Sequence, residues 1–312
     1  MTARPVGLKA TSSADWSACR ALLRKESPGL YFGSLSLPPR VRHPAVVLYA
    51  FAASLAKTSR EATPVALSDI RSRVDRIVSG TGQPSGPVDR AMAVVMRDFA
   101  IPRALLDALV EAFSWDASGR RYATLSGLLD YCARVSAAPG MALCLLMGVR
   151  KRSVLERSCD LSIAIQLTRV VRDVGTQARQ GRVYLPLEWL EEAGADVDAW
   201  LTTPRPSEPI LDVIRRVRKT ADSFFLRADP GIGALPFDCR PAVRASRYIY
   251  AGILSEIEQR GYDTVTQGAH LSLPRKLRLI ARALRPSRSE TRALEEAADP
   301  SFAGLVDAVA IN

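Results

Sequence analysis

A helical repeat of apolar residues near the middle of the chain constrains the fold more than any other feature of the sequence. Between residues 165 and 174, apolar and polar side chains recur at the spacing of an amphipathic helix. Similar repeats occur along the whole chain, whereas the alternation typical of β-strands is scarce, and only residues 183–186 read as strand-like. Because 312 residues with 47% apolar content can bury a sizeable core, we predict one all-α domain.

The same helix carries a row of polar side chains. Arg169, Asp173 and Gln177 follow one another at intervals of four residues, so they share one helix face. Polar groups placed in this way on an otherwise apolar helix can point together into a cavity. The row is therefore the first candidate for a functional site.

Residues 165–186, IQLTRVVRDVGTQARQGRVYLP, resemble the second aspartate-rich segment of the squalene/phytoene synthase family, in its bacterial phytoene synthase branch. The resemblance is collinear over roughly residues 15–285. It implies an isoprenoid-synthase-like, single-domain helical bundle around a central cavity for residues 1–285, followed by a helical tail over 286–312. Further matching segments are 37–52, 111–122, 128–140, 235–258 and 261–263.

Members of this family condense two prenyl diphosphates head to head, and the resemblance implies two acidic motifs that hold Mg2+ against the diphosphates. Carboxylates four residues apart on facing helices supply the oxygen ligands that Mg2+ requires. The second motif of this chain retains Arg172 and Asp173. Other motif positions are replaced in both segments, and they carry Ala56, Lys57, Arg60, Arg169, Thr176 and Gln177.

These replacements reverse the charge expected at the motifs. Lys57, Arg60 and Arg169 bring three positive charges, and Asp173 supplies the remaining carboxylate. A lysine about 6 Å from a divalent ion costs about 5 kcal/mol of repulsion at an effective dielectric constant of about 20. We therefore predict no metal site and no cofactor, with Mg2+ expected only if the chain is an active synthase.

The basic side chains at the motif positions have two interpretations. In the first, they bind a diphosphate group directly, because guanidinium groups pair with phosphate oxygens without a metal. In the second, they form ion pairs with Asp173 and Asp116 and fill the former pocket. The residues concerned are Lys57, Arg60, Arg169 and Arg172.

The resemblance marks further positions as site residues. Asp116 belongs to the segment WDASGRRY, which matches a segment lining the family's pocket; its alternative role is a buried partner of Arg120 or Arg121. Tyr131 and Gln177 are predicted to contact the substrate. The candidate catalytic residues are Tyr49, Asp173 and Tyr250.

The net charge of +11 is compatible with a phosphate pocket, an anionic membrane surface or nucleic acid. The basic residues are dispersed, only 6% of residues are aromatic, and no nucleic-acid-binding motif is present. We therefore expect no nucleic-acid partner. A prenyl diphosphate or polyprene ligand, peripheral membrane contact and a partner enzyme of the same pathway are the expected partners.

The five cysteines have no CxxC spacing, which favours buried, reduced thiols and a cytosolic protein. The N-terminus has no signal-peptide pattern. The longest apolar run, 135–149, is interrupted by Pro139 and Gly140 and is too short to span a bilayer. It is predicted to be a bent core helix in a cytoplasmic protein that can also sit at the inner face of the membrane.

Two classes of function follow from these features. We interpret the chain first as a non-catalytic, phytoene-synthase-like protein of the carotenoid and isoprenoid pathway. In this role it would bind a prenyl diphosphate, a polyprene or a partner enzyme without Mg2+-dependent condensation. The alternative is an enzyme. It would be either an active prenyltransferase of the phytoene synthase type that condenses two geranylgeranyl diphosphates in an unusual way, or an enzyme that uses prenyl diphosphates by metal-independent chemistry. A further alternative is a non-enzymatic assembly factor.

Overall fold

The computed structural model of the protein describes residues 11–59, 64–79, 86–287, 290, 294 and 298–310. Over these ranges the chain forms sixteen α-helices and one π-helical turn, and no strand. The helices are α1 Ser13–Glu26, α2 Pro28–Ser34, α3 Pro39–Ser59, α4 Pro64–Ser79, α5 Pro87–Asp98, α6 Arg103–Ala117, α7 Leu125–Cys132, α8 Ala138–Leu146, α9 Arg152–Arg172, α10 Val174–Ala178, α11 Leu187–Glu192, α12 Val197–Thr202, α13 Glu208–Gly233, α14 Arg240–Gln259, α15 Leu273–Ala283 and α16 Pro300–Asp307; the π-turn is Ala133–Ala137.

The all-α prediction is confirmed, but the prediction of a strand-like segment at 183–186 is wrong. This segment is a loop in which Val183, Tyr184 and Leu185 are buried. These apolar residues pack into the core beneath the loop. A short run of apolar residues is produced by such a loop as well as by a buried strand.

The two longest central helices, α9 and α13, form the most extensive helix–helix contact of the described fold. Near the end of α13, the backbone at Gly231 lies directly against the side chain of Arg157 on α9. A turn is predicted from the sequence at 228–234, and this prediction is wrong, since α13 continues to Gly233 with Pro230 inside it. Residues 228–232 are buried, so tertiary packing outweighs the local turn signal.

The apolar run 135–149, which is predicted to be a bent core helix, begins in the π-turn and continues through α8. Pro139 lies in the first turn of α8, where a missing N–H costs no hydrogen bond. The change from α-helical to π-helical hydrogen bonding therefore lies just before the proline, at the π-turn. Val135 and Ser136 of this turn face the interior cavity described below.

The helix predicted to carry Arg169, Asp173 and Gln177 is interrupted at Asp173, whose backbone (φ −105°, ψ 15°) ends α9 and begins α10. The amide of Gln177 still donates to the carbonyl of Asp173 at 2.9 Å. One helical hydrogen bond thus spans the interruption, which keeps Gln177 in line with the residues of α9.

The segment after residue 285 is attached to the bundle at two points. Glu290 accepts two hydrogen bonds from the buried Arg244, at 2.6 and 2.8 Å, and Phe302 and Val306 of α16 are buried in the core. The domain boundary at 285 stays a prediction.

All five cysteines are buried and free. Over the described residues, no helix combines the length and the apolar character needed to cross a membrane.

We expect Gly231→Ala to destabilise the protein by about 1–3 kcal/mol, because the new methyl group would overlap the Arg157 side chain on α9. Gly33→Ala, near the end of α2, is the matched control: nothing lies within 4 Å of its added methyl group, so its stability should be unchanged or higher. Urea unfolding of both variants measures the difference. Equal stability of the two would contradict the close α9–α13 packing.

Candidate active site

A cavity of about 470 Å3 lies between α3, α6, α8, α9, α13 and α14. Its walls are mostly apolar, with Leu143, Met147 and Leu161 among them. Its lining follows α9 from Val154 to Arg169, a length of about 22 Å at 1.5 Å per residue. Six polar side chains of the lining lie on or between α3, α9, α10 and α14, and they are Tyr49, Gln166, Arg169, Asp173, Gln177 and Tyr250. Arg157 and five serines also line the cavity.

The row predicted from the sequence is brought together at this cavity. Arg169, Asp173 and Gln177 all line it, although they belong to two helices rather than one. The hydrogen bond across the interruption at Asp173 explains why the spacing of four residues still places them on one face.

Arg169 of α9 and Tyr250 of α14 both line the cavity and contact each other. The Nε and Nη2 of Arg169 donate to the Tyr250 hydroxyl at 3.2 and 2.9 Å. Burial raises the pKa of Tyr250, but the positive charges of Arg169 and Arg172 together outweigh burial and lower it. Tyr49 is the opposite case, because burial raises the pKa of its hydroxyl to about 12. The phenol of Tyr250 is thus the more acidic of the two and lies beside a fixed positive charge.

Asp173 forms an ion pair with Arg172, its neighbour in the sequence. Arg172 donates from Nε and Nη2 to the two carboxylate oxygens at 2.8 and 2.6 Å. This pairing raises the pKa of Arg172 and occupies both oxygens of Asp173. Both side chains stay partly exposed, so a stronger anion such as a diphosphate can compete with the carboxylate for the guanidinium group.

The described residues do not fit a magnesium site. Asp173 is the one carboxylate among the described lining residues, and it is paired with Arg172. Within the described ranges, no group of three or more His, Cys, Asp or Glu side chains is placed to hold a metal ion. Mg2+ requires near-octahedral oxygen coordination, which one paired carboxylate does not supply.

The two described residues of the first motif, Ala56 and Lys57, differ in their surroundings on α3. Ala56 lines the cavity together with Ala52 and Ala53, whereas Lys57 is exposed and lies 3.9 Å from Glu26. Arg60 lies outside the described residues. Thr176, from the second motif, is exposed on α10.

Asp116 and Tyr131 form a separate buried cluster with Tyr184. The hydroxyls of Tyr184 and Tyr131 donate to the Asp116 carboxylate at 2.6 and 3.0 Å. None of these three residues is among those lining the central cavity. Arg120 stacks on Trp115, so the partners of Asp116 in this structure are phenols.

Arg121, the other arginine considered for Asp116, pairs with Asp198 at 2.7 Å. Burial raises the pKa of Asp116, and the two tyrosine hydrogen bonds offset this only in part.

Sequence reasoning missed a contact that shapes the cavity at the π-turn. Ser136 donates to the carbonyl of Ser162 on α9 at 2.9 Å, and both residues line the cavity. Gly140 lies so close to Ser162 that a Cβ would overlap its hydroxyl. The Pro-Gly pair at 139–140 within an apolar run was the available signal, since a glycine there permits close approach of two helices.

Comparison with solved structures identifies the class of protein first. A dehydrosqualene synthase solved in complex with a ligand superposes with a TM-score of 0.77, at 23% identity, covering 87% of this chain and 95% of that one. This likeness establishes an isoprenoid-synthase-like all-α fold, as predicted.

The sequence comparisons then identify the family. The profile of squalene/phytoene synthase matches residues 23–276. A protein of Cereibacter sphaeroides named phytoene synthase is 41% identical, covering 96% of this chain and 89% of its own length. One of Rhodobacter capsulatus with the same name is 40% identical, covering 96% and 91%. The chain belongs to the squalene/phytoene synthase family.

These relatives overturn the interpretation of the chain as a non-catalytic protein. They are named as enzymes and align over nearly the whole chain, at an identity of about two residues in five. The replaced motif residues, on which that interpretation depended, therefore do not by themselves indicate loss of catalysis. They show that the residues at the motif positions carry a different charge from the one that the resemblance implies.

We expect the stability advantage of wild type over Asp116→Asn to shrink as pH rises from below about 4 to neutrality. The folded protein holds the proton of Asp116 more tightly than the unfolded chain, so the folded state loses stability as this proton leaves. The change is about 1.4 kcal/mol for each unit by which the pKa is raised.

Unfolding free energies measured across this pH range test the expectation. Asp69→Asn, which makes the same change at an exposed carboxylate on α4, is the matched control. A pH-independent difference for Asp116→Asn would contradict a raised pKa in the folded protein.

Proposed function

We propose that the chain is a prenyltransferase of the phytoene synthase type, which condenses two geranylgeranyl diphosphates. The observation that carries this proposal is the form of the cavity: a long apolar lining that ends at Arg169, Gln177 and Tyr250. An apolar channel suits a prenyl chain, and a cationic end suits its diphosphate. The phytoene synthases that align over 96% of the chain support the same activity.

In this proposal, Arg169 binds the diphosphate of the substrate. Its guanidinium group lines the cavity and is held in place by Tyr250. Arg172, which is paired with Asp173, is a neighbouring positive charge that can also bind the diphosphate. In each half-reaction the bond between the first prenyl carbon and the bridging oxygen breaks, and the electron pair leaves with the diphosphate. The two arginines stabilise the negative charge that develops there.

Formation of the carbon–carbon bond between the two prenyl units is completed by loss of two protons. Tyr250 is the candidate proton acceptor, since its hydroxyl lies in the lining and the nearby arginines lower its pKa. Tyr49, whose pKa is raised to about 12, is better suited to donate a hydrogen bond. The apolar walls keep water away from the carbocation that forms when each diphosphate leaves.

We further propose that this site works without a bound metal ion, because the described lining residues supply one carboxylate and that one is paired. Contact with a membrane and with a partner enzyme of the same pathway are additional proposals, and the first is developed below.

The test is product extraction after incubation with geranylgeranyl diphosphate, with Mg2+ and with a chelator. We expect phytoene in both conditions, and a loss of roughly 10²-fold in turnover for Arg169→Gln, because one charge-stabilising group is removed. Arg205→Gln is the matched control, since Arg205 is exposed and does not line the cavity. Its turnover should equal that of the wild type.

The outcomes separate the two parts of the proposal. Phytoene formed only with Mg2+ would support the prenyltransferase and overturn the metal-free site. No phytoene in either condition, with folded protein, would overturn the prenyltransferase itself. Equal turnover of Arg169→Gln and Arg205→Gln would remove Arg169 from the diphosphate site.

A further inference from the structure

One face of α15 carries a row of exposed apolar side chains. Leu273, Leu277, Ile280 and, just after the helix, Leu284 are 68, 57, 41 and 70% exposed. Their spacing of four, three and four residues places them along one side of the helix. We refer to these four residues as the α15 stripe. Large apolar side chains grouped in this way on a protein surface mark an interaction site.

The helix is fixed against α14 by its other side. Leu279 lies close to Gly252, where an added Cβ would be 2.9 Å from its Cδ1. Arg275 pairs with Glu256 at 2.5 Å, and the guanidinium group of Arg282 stacks over Tyr248. These contacts fix α15 against α14 so that the α15 stripe faces away from α14 and stays exposed.

The residues around the stripe are basic. Between Leu273 and Arg285 the sequence contains five basic residues and no acidic one. Lys276, Arg278 and Arg285 are exposed. An apolar row bordered by positive charges is the composition of a helix that lies in the interface of an anionic bilayer, with the apolar side chains among the acyl chains and the basic ones at the headgroups.

We propose that α15 docks the protein on an anionic lipid bilayer through the α15 stripe. A second copy of the chain is the less suitable occupant, because it would bring an equally basic helix and a net charge of +11 to the same contact. The helix lies on the membrane and does not enter as a span, as no described helix is suited to cross one.

This docking would place the cavity one helix away from the lipid. The side of α14 that faces α15 carries Tyr248 and Gly252, whereas Val243, Ser246 and Tyr250 line the cavity. The docking inference stands on the surface of α15 alone, and it does not require that the chain be a prenyltransferase.

The experiment is co-sedimentation of the full chain with phosphatidylcholine vesicles, with and without phosphatidylglycerol. We expect binding that requires the anionic lipid and weakens with salt. Leu277→Gln/Ile280→Gln should lower the partition coefficient about tenfold or more, because two apolar side chains no longer enter the interface. Lys276→Gln/Arg278→Gln should reduce the dependence on salt.

Leu226→Gln is the matched control. It makes the same change at an exposed leucine of α13, outside the stripe, and its binding should equal that of the wild type. Circular dichroism checks that each variant is folded, as is expected for changes at exposed positions.

Two results would overturn the proposal. One is vesicle binding that is equal for wild type, Leu277→Gln/Ile280→Gln and Leu226→Gln. The other is absence of vesicle binding together with self-association in sedimentation velocity that Leu277→Gln/Ile280→Gln abolishes, which would assign the stripe to a second copy of the chain.

Discussion

The carboxylate of Asp160, fully buried on α9, lies between two arginines. Arg157, one turn earlier on α9, is 3.2 Å away, and Arg227 of α13 is 2.8 Å away. Removal of one partner from such a buried group leaves an uncompensated charge, so the geometry of the two helices is tightly specified. Because α9 carries the polar row of the cavity, the position of the candidate active site depends on this ion-pair cluster and on the close approach at Gly231.

The charge of the cavity follows from the residues at and beside the second motif. Arg169 lies in the lining, while the one described lining carboxylate, Asp173, is neutralised by Arg172. In the proposed function, the site binds the diphosphate through the protein's own cations. The fold of the family and a changed set of charges are compatible, because the scaffold depends on apolar packing and buried ion pairs away from the motif positions.

Much of the fold and part of the site could be predicted from the sequence. The period of the apolar residues predicts the all-α class, and the spacing of four residues predicts that Arg169, Asp173 and Gln177 share one face. Both predictions are possible because the geometry of a helix depends on residues close together in the sequence. The direction of Lys57 and the enclosure of Asp116 by two tyrosines could not be predicted, because they depend on helices distant in sequence. The continuation of α13 through Pro230 was missed for the same reason: burial against α9 outweighs the local preference for a turn.

The burial of the five cysteines has a practical consequence for work on this protein in solution. Burial raises the pKa of Cys19 to about 12 and those of Cys144 and Cys239 to about 11, and it raises those of Cys132 and Cys159 as well. With a pKa of about 11, roughly one thiol in 10⁴ is ionised at neutral pH, and the thiolate is the reactive form. A cysteine introduced on the surface would therefore react with a maleimide dye far ahead of the native thiols, so single-site fluorescent labelling does not require their removal.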